Sequence, residues 1–160
     1  CAMAVPCARS VAGGDMLGQI AFGSVLMVIS VLMAALAIWA LETAFSRNAR
    51  WLARAPHRPK LALVIVATSL AVLAMVTASV WLWAVAFHHM GVFATFEEAM
   101  YFTLVTFTTL GYGDVLMPQD WRILGGLAAA NGLLHFGLMT AFMVEALRHV
   151  RVRQIEFTEG

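Results

Sequence analysis

Long apolar runs separated by short polar stretches dominate the chain. Leu17 to Ala40 and Leu61 to Phe87 contain no charged residue; Ile123 to Val144 contains none either, although Asn131 and His135 interrupt it. A bilayer-spanning helix needs about 20 apolar residues, so each run predicts one crossing, the second long enough to tilt. A fourth apolar stretch, Phe96 to Leu110, is too short to cross alone and predicts a re-entrant helix.

Composition supports the bilayer as solvent: 62% of the residues are hydrophobic and 12% charged, where a soluble domain carries about a quarter charged. The placement of charge sets a topology. Arg47, Arg50, Arg54, Arg58 and Lys60 lie between the first two runs with no acid among them, and Arg148, Arg151 and Arg153 follow the third. The segment between the second and third runs holds Glu97, Glu98, Asp114 and Asp120 against Arg122 alone. Basic residues mark cytoplasmic loops, which predicts the 43–60 loop and the C-terminus inside, and residues 88–122 and the N-terminus outside. Arg47, Arg50 and Arg54 share one helical face beside Trp51 and Leu52, which predicts either an interfacial helix touching anionic lipid or a basic loop that only fixes topology. Trp81, Trp83 and Trp121 read as anchors at the outer interface and Trp39 at the inner one. Cys1 and Cys7 build no disulfide framework or metal site by count or spacing.

The candidate chemistry lies around the short helix. Thr95 and Glu98 form a capping box, and Glu97 and Glu98 suit the positive end of a helix dipole, so this helix is expected over 96–108. At the usual rise it is about 20 Å long, half a membrane, and its negative C-terminal end falls near the bilayer centre. The stretch that follows, TTLGYGD from Thr108 to Asp114, is non-helical in character. Such backbone survives at membrane depth only if it is buried in protein or lines a watery path. Gly111 and Gly113 permit conformations closed to other residues, so carbonyls of Thr109, Leu110, Gly111 and Tyr112 can turn toward one axis. Carbonyl rings of this kind replace the water shell of a cation. Tyr112 is expected to wedge against Tyr101 and Phe102, and Asp114 to sit at an outer mouth where acids concentrate cations.

Thr106 to Asp114 resembles the T-x-x-T-x-G-Y-G-D motif of potassium channels, and residues 61–148 resemble the pore domain of the small bacterial two-helix members. The resemblance implies an outer helix 61–88, a pore helix 96–108, a filter 109–113 and an inner helix 121–148. Around this domain stand an extracytoplasmic tail 1–16, an additional transmembrane helix 17–41, a basic loop or interfacial helix 42–60 and a cytoplasmic tail 149–160. It implies K+ as the permeant ion, bound at Thr109, Leu110, Gly111 and Tyr112 with Gly113 completing the filter, Asp114 at the mouth, and Thr106, Thr108, Tyr101 and Phe102 as support. No other cofactor is implied. Two positions depart from the pattern. Leu110 replaces the usual Val or Ile, and Val105 stands where some bacterial relatives have a Glu that pairs with the filter aspartate, leaving Asp114 without that partner.

One filter strand cannot ring an ion, and the chain has a single GYG, so a homotetramer is expected; the resemblance to bacterial members implies a bacterial inner membrane. Asn131, Gly132, Phe136 and Thr140 are cavity or gate candidates on the third run. Gly132 serves as hinge or as close-packing residue, and Asn131 faces the cavity or bonds to a neighbouring helix. His135 reads as a cross-helix hydrogen-bonding group ahead of a pH sensor, and Glu145 as a local partner of Arg148. The first two runs lack arginine, so steep voltage dependence is not expected. The competing functions are a non-selective cation channel and a non-conducting accessory subunit. No nucleophile–base pair supports an enzyme, and no basic–aromatic platform supports nucleic-acid binding.

Overall fold

The computed structural model describes residues 16–48 and 57–159. Four helices fill it: α1, Met16–Arg47; α2, His57–His89; α3, Phe96–Phe107; and α4, Arg122–Glu159, preceded by a single 3-10 turn at Gln119–Trp121. Three stretches are long and apolar enough to cross a membrane, Met16–Arg47, Ala62–His89 and Gln119–Glu145. α3 is the short helix packed between α2 and α4, and α1 lies along both α4 and α2.

Two boundaries differ from the sequence reading. α1 runs past residue 41 to Arg47, and α4 continues through residue 148 to Glu159, so the segment read as a tail is helical. Nothing stops α4 earlier: residues 149–159 contain neither Gly nor Pro. The expected tail 1–16 lies, apart from Met16, outside the described residues, as do Arg50 and Arg54; Arg47 is the last residue of α1.

An aromatic cluster fixes the short helix. Trp83 and Phe87 of α2, Phe93 of the connecting turn, and Phe102 and Phe107 of α3 form successive ring contacts, from 5.0 Å between Phe93 and Phe102 to 6.5 Å between Trp83 and Phe107. Each such pair contributes about 0.5–1.5 kcal/mol beyond its buried area. Trp83, expected at the interface, is instead wholly buried at the centre of this core. Its indole N–H finds no acceptor among the described residues. Ring packing outweighs that unmatched donor, which costs about 1–3 kcal/mol. Trp81 keeps an exposed position and stacks on Phe96.

The buried residues of α1 are Gln19, Gly23, Leu26, Ser30 and Ala34, a single stripe at helical spacing. Lipid tails are as apolar as leucine, so close packing and hydrogen bonds, not hydrophobic burial, must hold this helix in place. Both are present. Gly23 receives the side chain of Leu127, and Gln19 Nε2 donates to the Asp120 carbonyl at 2.6 Å.

Candidate permeation site

Thr95 opens α3 with an extended backbone, and its hydroxyl accepts the Glu98 amide at 3.2 Å. One stripe of the helix, Ala99, Thr103 and Phe107, is buried against the rest of the chain. The other face, with Tyr101, Leu104 and Thr108, is open.

The end of α3 determines the geometry of the motif. Thr108 is the C-cap, and Thr109 follows with φ +59. The Thr109 amide donates to the Thr106 carbonyl at 3.1 Å and the Leu110 amide to the Val105 carbonyl at 3.0 Å. This bond pair is the Schellman closure, which satisfies carbonyls that a helix end leaves open. Glycine normally occupies the left-handed position, because a side chain there costs roughly 1–2 kcal/mol. Here a β-branched threonine holds it, a strain of the kind stored at functional sites. Gly111 (φ +55) and Gly113 (φ +78) are also left-handed, whereas Leu110 and Tyr112 are not. Left-handed residues therefore alternate along 109–113. The same alternation that lines up successive N–H groups in an anion-binding nest presents successive carbonyls on the other side. The Thr108 hydroxyl donates back to the Leu104 carbonyl at 2.8 Å, securing the last turn from which this strand departs.

Residues 109–113 are open on the side away from their own chain. Leu110 is 55% and Tyr112 69% exposed. Tyr112 stays exposed and makes no ring contact with Tyr101 or Phe102 within the chain, where the sequence reading expects it to wedge against them. Phe102 is committed to the aromatic cluster, and the Tyr101 hydroxyl donates to Asp114 Oδ2 at 2.6 Å. Asp114 thus has a partner after all, from the pore helix one turn before the Val105 position. This hydrogen bond, with smaller help from backbone amides, holds its carboxyl below the usual carboxylate range.

The four candidates on α4 separate into two faces. Phe136, 42% exposed, and Thr140 lie on the open face. Asn131 and Gly132 do not: both are buried. Asn131 contacts Ser30 of α1, and a Cβ built on Gly132 would lie 2.6 Å from both Cα and the carbonyl oxygen of Phe107. Their register points them at α1 and at the pore helix, and the close approach gives Gly132 a packing role. His135 is also fully buried and meets Ser79 of α2 at 3.0 Å. Glu145 and Arg148 form an exposed pair at 3.7 Å. Among the described residues no group of three His, Cys, Asp or Glu side chains could hold a metal ion.

A short helix that feeds a segment of alternating handedness is set between two helices long and apolar enough to cross a membrane. A family model described as ion channel matches residues 68–149, just over half the chain. The chain belongs to this ion-channel family, whose domain is of the two-helix, potassium-channel type. No curated protein and no solved structure matches it. In the channel the match takes in α2 from Thr68, the whole of α3, the TTLGYGD segment and α4 as far as His149. α1 lies outside it.

Proposed function

We propose that the channel is potassium-selective, conducting K+ passively through a central pore made by four copies of the chain. The observation that carries this reading is the alternation of left-handed residues at 109, 111 and 113 within TTLGYGD. On this reading the carbonyls of Thr109, Leu110, Gly111 and Tyr112 replace the hydration shell of the ion, and Gly113 lets the strand leave the site. Asp114, held by Tyr101, supplies negative charge at the outer mouth. The open sides of α3, the filter strand and α4 are the surfaces that a four-fold assembly covers, with Phe136 and Thr140 on the cavity side. The basic segment that begins at Arg47 and the C-terminal end of α4 face the cytoplasm, and Arg47 lies where anionic lipid headgroups would meet it.

Leu110 supports a second reading, a non-selective cation channel, because its bulk changes packing behind the filter while leaving its carbonyl in place. The reversal potential under opposing K+ and Na+ gradients separates the two.

A further inference from the structure

Four buried polar residues that the pore does not use are linked in succession by hydrogen bonds. Ser79 of α2 meets His135 of α4 at 3.0 Å, Oγ to Nε2. His135 Nδ1 lies 3.2 Å from the Asn131 carbonyl one turn back. The Asn131 amide meets Ser30 Oγ of α1 at 3.0 Å. None of the four is more than 1% exposed. We propose that these residues form a buckle through which α1 positions the inner helix behind the filter, making α1 a working part of the pore, not a peripheral anchor.

Hydrogen-bond chemistry fixes the roles. A carbonyl only accepts, so His135 Nδ1 donates to Asn131, and Nε2 pairs with the Ser79 hydroxyl. Both ring nitrogens therefore have a hydrogen-bond partner. Ser30 has one proton and two neighbours in reach, the Asn131 amide and the Met27 carbonyl at 3.3 Å. With the amide oxygen toward Ser30, Asn131 Nδ2 is a buried donor without a partner. Turning the amide lets Nδ2 donate to Ser30 Oγ while the Ser30 proton goes to Met27, so both contacts are served and the position without a partner passes to Oδ1, an acceptor.

The buckle sits at the level that matters for permeation. Gly132, the next residue after Asn131, lies against the Phe107 backbone, and the His135 ring is 6.5 Å from the Phe107 ring. Phe107 closes the pore helix, two residues before the first filter position. A shift of α4 at this level must break either the buckle or the contact of Gly132 with Phe107. Ser30 is the only one of the four outside the family match, and it joins the added helix to the pore domain at that level. The Gln19 bond to Asp120 and the seat of Leu127 on Gly23 hold α1 in register with α4 nearer the outer end.

The inference rests on the channel reading and not on its potassium selectivity, so the test reads two quantities. Single-channel recording on the full-length protein in planar bilayers compares wild type with Ser30→Ala, Ser30→Thr, Asn131→Leu and the Ser30→Ala/Asn131→Leu pair. Loss of one partner strands the other, while loss of both strands neither. Ser30→Ala and Asn131→Leu should each change the open–closed equilibrium by roughly fivefold, the pair by less than the product, and Ser30→Thr little. The reversal potential should be the same in all five proteins. An open–closed equilibrium unaltered by Ser30→Ala, or altered equally by Ser30→Ala and Ser30→Thr, overturns the buckle. Should Ser30→Ala fail to assemble, Ser30→Cys, near-isosteric with a weaker donor, is read by the same criteria. A Ser30-dependent equilibrium in a pore that passes Na+ as well as K+ would keep the buckle and reject the selectivity.

Discussion

Gly132 of the inner helix lies against the backbone of Phe107 at the end of the pore helix, so closely that a Cβ would fall 2.6 Å from the Phe107 carbonyl oxygen. The clash would be with backbone, which cannot rotate away. Gly132→Ala must therefore displace α3 or α4, at a cost of about 1–3 kcal/mol for overpacking. The account predicts a lower thermal midpoint for the assembled channel in detergent and a loss of conduction. Gly137, with nothing within 4 Å of its built Cβ, is the control: Gly137→Ala should leave the midpoint unchanged or raised. Equal effects of the two substitutions would contradict the packing role.

Thr109 is held in the left-handed region by the closure of α3, where glycine has no side-chain penalty. Thr109→Gly should relieve roughly 1–2 kcal/mol of local strain, while Thr109→Val should retain it. Both remove the hydroxyl. The expected outcome is weakened K+ over Na+ discrimination in both, with Thr109→Val close to wild-type thermal stability and Thr109→Gly above it. A Thr109→Gly channel less stable than Thr109→Val would show that the threonine is not strained.

The hydrogen bond from Tyr101 keeps Asp114 ionised below the usual carboxylate range. For a carboxyl with a lowered pKa, the bonded state is complete above the ordinary value and is lost as pH falls through the lowered one. Tyr101→Phe removes the largest cause of the lowering, so the carboxyl should rise toward the ordinary aspartate value. At an outer pH near that value the variant loses mouth charge that the wild type keeps. Single-channel conductance at low outer K+ should therefore fall further on acidification in Tyr101→Phe than in wild type. An identical decline in both would mean the bond does not set the charge of Asp114.

The three helices long enough to span, the short helix between them and its Thr95 cap were legible because apolar run length and capping chemistry are local. The left-handed glycines were legible because their role is a backbone conformation that the residue itself permits. The Tyr101–Asp114 bond was not, since Tyr101 lies on a helix and Asp114 beyond the 109–113 segment, and only the fold of that segment brings them together. Trp83 was misread for a similar reason: a tryptophan near a helix end anchors at an interface unless another helix covers it, and here α3 does. The contact of Ser30 with Asn131 joins residues 101 apart in sequence. Its signal was nevertheless present, because Gln19, Gly23, Ser30 and Ala34 place small and polar residues on one face of an otherwise featureless apolar helix.

The central claim is that TTLGYGD forms a potassium-selective filter, and the reversal potential of the purified channel in a planar bilayer tests it most directly. With K+ and Na+ gradients opposed across the membrane, the account predicts reversal near the K+ equilibrium potential. Robust current reversing near zero would contradict it, with Leu110 the first residue to revert to valine.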